Sequence, residues 1–303
     1  MRIYWGRDHI KEMQHDVVHN ISFQWRPLQN SKDIDIAHLS PLSFHRMTSQ
    51  RRCVCIVIPT KEYKENLFKR WLLFPEVKKV VVLYNGPPLS RRKSFLPEIE
   101  IIHCLWEGHG RTRNKALLHL DTDFTFFTVD DALPLSSTLC PLVDFLSLPS
   151  STDIDAIVAR QCPYPNAEIY VRRRLLEYMP FHSRPSLFHQ CDNVGTLYRT
   201  SVLQQNPFPD VDIAEDYLWA IDKKIYYHPK SCILHSHRRH PWSLYHREYF
   251  IYNQLKEYLQ MNHPFEDMYF SMKQTYRYGV WEGINTFFEK LGSHIGNQFN
   301  NRY

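Results

Sequence analysis

Residues 53–59, CVCIVIP, form a continuous apolar run that is rich in β-branched side chains and closed by a proline. A run of this kind reads as a strand buried on both faces, the usual setting of a parallel sheet. Outward from it the pattern keeps alternating. A helix is expected over 64–73, strands over 79–83 and 99–104, a helix over 111–120, and strands over 124–129 and 154–160. Strands alternating with helices of about 10 residues indicate βαβ units, and hence an α/β sheet covered on both faces. Ligands of such sheets sit beyond the carboxyl ends of the strands, so the positions following Ile58, Leu83 and Val129 are the first to read for chemistry.

The rest of the chain divides around this core. Residues 1–50 lack a clean periodicity and read as an N-terminal extension, 51–240 as the α/β domain, and 241–303 as a helical C-terminal region. In that last region WSLYHREYFIYNQLKEYLQ repeats apolar residues at three- to four-residue spacing. A chain of 303 residues that is 43% hydrophobic and 14% aromatic can bury a sizeable core, which sets disorder aside. Its net charge of +5 comes from 37 basic and 32 acidic residues spread along the sequence. That favours an anionic, phosphate-bearing ligand over nucleic acid, which calls for a concentrated basic tract. The compact cluster Arg172, Arg173 and Arg174 reads as a solvated helix face.

Seven cysteines with no C-x-x-C pair make neither a disulfide framework nor a zinc ribbon, and fit a reducing compartment. No apolar stretch approaches the ~20 residues that span a bilayer, and the N-terminus has no apolar signal region. The expectation is a cytoplasmic protein, with the inner face of a membrane as its alternative location.

Four groups of residues carry chemical potential. Asp130 and Asp131 follow FTFFTV at a strand's carboxyl end, where two carboxylates beside a diphosphate call for Mg²⁺ or Mn²⁺ between them. Taken alone, the pair is better read as a turn or helix cap. Glu215 and Asp216 open a short amphipathic helix, where the dipole would keep a general base ionised, or where the acids simply cap. His235 and His237 lie two apart after the apolar run 231–234 and so point to one face, able to meet a metal or phosphate together. With 17 histidines in the chain, coincidence is a real alternative. Finally, the glycine-bearing turn 108–114 leads into a helix, with Arg111 and Arg113 placed to clamp a phosphate.

In this order the four groups resemble glycosyltransferase family 2, whose members have the GT-A fold. VCIVIPT resembles the family's opening strand, VVLYNG the second strand with its Asp-Asn signature, GRTRNKAL the Arg-Asn segment near the diphosphate, and FFTVDDALPL the strand ending in the metal-binding acids. The resemblance covers roughly residues 52–255. Within the family, RQCPYPNAEIY (160–170), PFPDVDIAEDYLWA (207–220) and YYHPKSCILHSH (226–237) are similar to bacterial rhamnosyltransferase-type members of polysaccharide biosynthesis.

The resemblance implies a GT-A-type mixed, mainly parallel sheet flanked by helices. It makes Asp131 and His237 the metal ligands, for Mn²⁺ or Mg²⁺, and Asp216 the base with Glu215 beside it. Pro59, Thr60, Glu62, Asn85, Arg111, Arg113 and Asp130 are then donor contacts. Two positions depart from the family pattern: Val129 stands where the acidic cluster usually begins, and Tyr84 where an Asp often precedes Asn85.

The implied reaction is an inverting sugar transfer from a nucleotide-sugar donor, first dTDP-L-rhamnose and next a UDP-hexose. The acceptor is a hydroxyl of a glycan or lipid-linked glycan. The aromatic C-terminal helices are first of all core, with peripheral membrane association as their other reading. One rival is a metal-dependent hydrolase or oxygenase built on His235, His237 and a carboxylate such as Asp216. A second is a binding module that kept the fold and lost activity.

Overall fold

The computed structural model describes residues 53–89, 96–181, 184–237, 240–255, 271–272 and 280–298. The expected N-terminal extension, residues 1–50, lies outside the described residues. The strands are β1 (Val54–Thr60), β2 (Val77–Tyr84), β3 (Ile99–His103), β4 (Phe124–Thr128), β5 (Leu133–Pro134), β6 (Ala156–Cys162), β7 (Ser186–Phe188), β8 (Gly195–Arg199) and β9 (Ile225–Leu234). The helices are α1 (Glu65–Trp71), α2 (His109–Asn114), α3 (Cys140–Leu146), α4 (Ile169–Tyr178), α5 (Thr200–Gln205), α6 (Glu215–Ala220), α7 (Pro241–Leu255) and α8 (Val280–Gln298).

All nine strands form one sheet in the order β3-β2-β1-β4-β8-β6-β9-β5, with β7 also paired to β9. β1 is parallel to β2 and β4, and β2 to β3. β8 is antiparallel to both β4 and β6, and β9 is parallel to β6, so β6 and β9 run in the direction of β4. The sheet is therefore mixed and mainly parallel, with helices on both faces.

Alternation along β1 divides the core into its two layers. Val54, Ile56 and Ile58 face Leu67, Phe68 and Trp71 of α1 and Leu142, Val143 and Leu146 of α3. Cys55 and Val57 face the other way, towards Ala116, Leu203, Phe208 and Trp219. Because both faces are covered, the strand carries no polar side chain until Thr60, which explains the unbroken apolar run.

Among the elements that differ from the sequence expectation, three shape the region of interest. The helix expected over 111–120 is instead the short α2 followed by a 3₁₀ turn at Leu117–His119. Asn114 ends it: its side-chain amide donates to the Phe208 carbonyl at 2.8 Å and its oxygen accepts the Phe208 amide at 3.0 Å, tying the turn to the segment before α6. The strand expected only over 231–234 is the end of the ten-residue β9. There Pro229, which cannot donate, sits where the register with β6 shifts between Ala159 and Arg160. β8 was not expected at all; its five residues lie between longer and clearer signals.

Glycines make the approach of 209–212 to α2 possible. Gly108 adopts φ +90°, and a Cβ on Gly110 would lie 1.9 Å from the Pro209 carbonyl oxygen. Gly110→Ala is expected to cost at least about 2 kcal/mol, because the obstacle is backbone. Thermal denaturation should show a Tm lowered by roughly 4–8 °C.

Candidate functional site

Direction in the sheet decides where the chemistry gathers. β1, β2, β4, β6 and β9 all end at one edge, and the antiparallel β8 begins there, since Thr128 pairs with Gly195. The residues after β1 (Glu62), β2 (Asn85), β4 (Asp130, Asp131) and β9 (His235, His237), together with those before β8 (Asp192, Asn193), thus share one rim.

At the β1–β4 part of the rim, Thr60 Oγ1 lies 2.6 Å from Asp130 Oδ2 and accepts the Glu62 amide at 3.0 Å. Lys64 Nζ stands 3.3 Å from the same carboxylate oxygen. Asp130 is therefore already engaged by a hydroxyl and an ammonium. Pro59 and Asn85 are half-buried at the mouth of these strands, the Asn85 amide donating to Thr60 O at 3.0 Å, and Glu62 is exposed.

Asp131 faces the other half. Its Oδ1 lies 3.7 Å from His235 Nε2 and its Oδ2 lies 3.5 Å from His237 Nδ1. One ligand atom from each of the three side chains falls within 4.8 Å of the others, a grouping able to hold a cation. The buried ring of His235 donates or accepts at Nδ1 with Gln161 Oε1 at 2.8 Å. As an amide oxygen can only accept, Nδ1 carries the proton and Nε2 presents its lone pair. That Nε2 is buried with no hydrogen-bond partner. Burial and the neighbouring His237 also push the His235 ring below its ordinary pKa, keeping it neutral. A neutral imidazole, oriented through its other nitrogen and aimed at a carboxylate, is the state that binds a divalent metal.

Gln161 continues the track inward, donating through Nε2 to Asp192 Oδ2. The next residue, Asn193, donates its backbone N–H to Asp216 Oδ2 at 3.1 Å and its side-chain amide to Glu215 Oε1 at 2.9 Å. One short segment before β8 thus links the metal-capable cluster to the acidic pair.

The two acids of that pair differ sharply. Glu215 is fully buried and forms an ion pair with the equally buried Arg113, Nη1 to Oε1, at 2.8 Å. His109 Nδ1 lies 3.7 Å from its other oxygen. Burial and Arg113 push the His109 ring below its ordinary pKa, so that contact involves a neutral imidazole rather than an ion pair. Arg111 points elsewhere, exposed and bonded to Asp210.

Asp216 behaves differently from the sequence expectation of a carboxylate kept ionised by the helix dipole. Desolvation, with Glu215 and Asp192 adding like charge, raises its pKa to about 7. α6 has only six residues, too little dipole to offset this. The residue before the pair, Ala214, is a non-glycine at φ 64°, a left-handed conformation that costs about 1 kcal/mol or more.

Beside these acids opens a cleft of about 600 Å³ lined by Trp106, His109, Arg111, Asp212, Ile213 and Phe250, among others. It mixes two exposed aromatic rings with polar and charged groups.

Sequence reasoning singled out Asp131, His235, His237, Asp130 and Asp216, which the fold brings to one rim. It missed Gln161, Asp192 and Asn193, which connect them. Gln161 stands inside the quoted stretch 160–170, but its partners come from β9 and from the turn before β8. Trp106 and Phe250 come together only through the fold.

No protein-family model matches the chain, and no curated protein sequence does. Among solved structures, it is similar to residues 1–349 of S. aureus TarS in complex with UDP-GlcNAc, at 16% identity and a TM-score of 0.46, over 75% of this chain and 73% of that one. It is similar to the mannosyltransferase PcManGT from Pyrobaculum calidifontis in complex with GDP-Man and Mn²⁺, at 14% identity and a TM-score of 0.48, over 77% and 72%. It is also similar to GalNAc-T7 with UDP, GalNAc and Mn²⁺, at 10% identity and a TM-score of 0.49, over 79% of this chain and 54% of that one. Likeness of this degree leaves donor, acceptor and mechanism to the chain's own residues.

Proposed function

We propose that this protein is an inverting, cation-assisted glycosyltransferase, its catalytic domain spanning residues 51–240, that moves a sugar from a nucleotide-diphosphate donor to a hydroxyl of a glycan or lipid-linked glycan. The observation that carries the reading is the convergence, on one rim, of the Asp131–His235–His237 cluster and an Asp216 carboxyl whose pKa lies near neutrality. A base that is partly ionised at its working pH matches both protonation state and driving force.

In this reading Asp216 takes the proton of the acceptor hydroxyl and the freed oxygen attacks the anomeric carbon. The bond from that carbon to the diphosphate oxygen breaks, and the nucleoside diphosphate leaves with the electron pair. A divalent cation held by Asp131, His235 and His237 would offset the charge on the departing diphosphate. Asp130, with Thr60 and Lys64, together with Pro59, Glu62 and Asn85, lies where the nucleotide would sit. Arg113 acts through Glu215: the buried ion pair fixes the strained turn that carries Asp216. The aromatic cleft of Trp106 and Phe250 faces the acceptor, since sugars stack their apolar faces on rings and bond their hydroxyls to flanking polar groups. The donor we favour is dTDP-L-rhamnose, on the sequence resemblance, and a UDP-hexose after it; the cysteine usage favours a cytoplasmic enzyme.

The hydrolase or oxygenase reading needs two histidines and a carboxylate on one metal. Among the described residues the carboxylate grouped with the two histidines is Asp131, not Asp216. A panel of nucleotide sugars, followed by thermal shift with and without Mn²⁺, tests the transferase reading. A Tm rise of several degrees is expected with one donor and only in the presence of cation. No rise with any donor from a folded sample, or stoichiometric zinc or iron retained through purification, would overturn it.

A further inference from the structure

Helix α8 carries its polarity reversed. Its sequence, VWEGINTFFEKLGSHIGNQ, places Gly292 and Gly296 against the carbonyls of Tyr245 and Tyr249 in α7, where Cβ atoms would lie only 2.2 and 2.4 Å away. Both positions advance by four residues, so the two helices pack closely and run in the same direction. The side of α8 turned inward is polar: Glu282, Asn285 and Thr286 are 0% exposed. Arg174 of α4 reaches into this interior, 3.5 Å from Glu282 and 3.4 Å from Glu289.

The outward side is apolar. Val280 (68% exposed), Trp281 (51%), Ile284 (36%) and Phe287 (48%) recur at three- to four-residue spacing and form one stripe. A helix facing water puts these two sets the other way round. On α7, Trp242 and Phe250 are exposed as well.

Charge follows the same inversion. The acids of α7 and α8 are Glu248, Glu282 and Glu289, whose side chains are 13%, 0% and 19% exposed, whereas that of Arg247 is 61% exposed. The outer surface of these helices is thus aromatic and aliphatic with its acids turned in, and Arg247, whose Nε lies 3.5 Å from the more buried Glu248 carboxylate, keeps its side chain towards solvent. No helix among the described residues is long and apolar enough to cross a membrane, so the surface suits contact with a membrane rather than passage through it.

We propose that the exposed stripe of α8, with Trp242 and Arg247 of α7, docks this protein on an anionic lipid surface. Tryptophan and phenylalanine enter the boundary between headgroups and acyl chains, and an outward arginine meets lipid phosphates. The proposal stands independently of the transferase reading, and its test does not involve catalysis.

Flotation of the full chain with vesicles of phosphatidylcholine, and of phosphatidylcholine mixed with phosphatidylglycerol, measures the docking. Binding is expected on the mixed vesicles and should weaken with added salt. Trp281→Ser combined with Phe287→Ser is expected to lower the partition coefficient at least about tenfold, with an unchanged circular dichroism spectrum. Arg247→Gln should lower binding to the mixed vesicles alone. A blue shift of tryptophan emission on adding mixed vesicles to the unaltered protein reads the same contact without any substitution. Absence of both flotation and blue shift would overturn the proposal. So would a concentration-dependent dimer in light scattering that the double substitution abolishes, since the stripe would then cover a second copy.

Discussion

Asp216→Asn is expected to lower kcat by about 10³-fold while leaving the affinity for the donor nucleotide within about twofold of the unaltered protein. The substitution keeps shape and volume but removes the ability to take a proton. Asp216 accepts the Asn193 N–H at Oδ2 and the Tyr217 N–H at Oδ1; the Asn oxygen can accept the first, at the cost of the bond within the residue pair 216–217, so the link to the turn before β8 is kept. With the carboxyl pKa raised to about 7, turnover of the unaltered enzyme should rise with pH through neutrality as the base ionises, and this limb should vanish in the variant.

Stability should move in the opposite direction. The folded pKa of Asp216 lies above that of an unfolded aspartate, so its contribution to stability is fully present below the unfolded value and is lost as pH rises towards 7. Asn escapes this loss. The Tm of the variant relative to that of the unaltered protein should therefore be more favourable at about pH 8 than at about pH 5. Steady-state kinetics, calorimetry at the two pH values and a donor titration read the three effects separately. Near-normal turnover with the correct substrates would remove Asp216 from the role of base.

Asp131→Ala should have the second largest effect. It deletes the carboxylate between two imidazoles and leaves His235 and His237 without the negative charge that would balance a divalent ion. Mn²⁺ affinity is expected to fall at least about 100-fold, and kcat/KM by a comparable factor at limiting cation. Calorimetric titration with Mn²⁺ alone reads this without any reaction. Because the Asp131 side chain is half exposed and its backbone carbonyl, not its carboxylate, accepts the Tyr164 hydroxyl, the fold should be little affected. Retention of Mn²⁺ binding and turnover by the variant would place the cation elsewhere.

The sheet was legible in the sequence because its strands are buried on both sides: CVCIVIP had to be apolar throughout, and FTFFTV carries only two threonines, both buried and hydrogen-bonded. The rim was legible because Asp130, Asp131, His235 and His237 stand directly at strand ends, where direction alone fixes their meeting place. What stayed hidden depends on long-range pairing. Gln161, Asp192 and Asn193 have ordinary side chains whose function comes only from β6 and β8 lying side by side. The pKa of Asp216 also escaped sequence reading, because a helix start favours the anion and only the folded surroundings supply the burial and neighbouring charges that oppose it.

The reversed strand β8 and its neighbour β6 separate β4 from β9, yet the turn after β4 that carries Asp131 crosses to β5, whose Leu133 pairs with Leu234 directly before the two histidines. In sequence the three metal-capable residues are spread over 237 − 131 = 106 positions. A ribosome must therefore emit residue 237 before any of this coordination can assemble, and pairings so far apart in sequence are slow to find one another. Any cation bound by this set would accordingly be captured late in the life of each new chain, and a fragment released before that residue lacks part of the set.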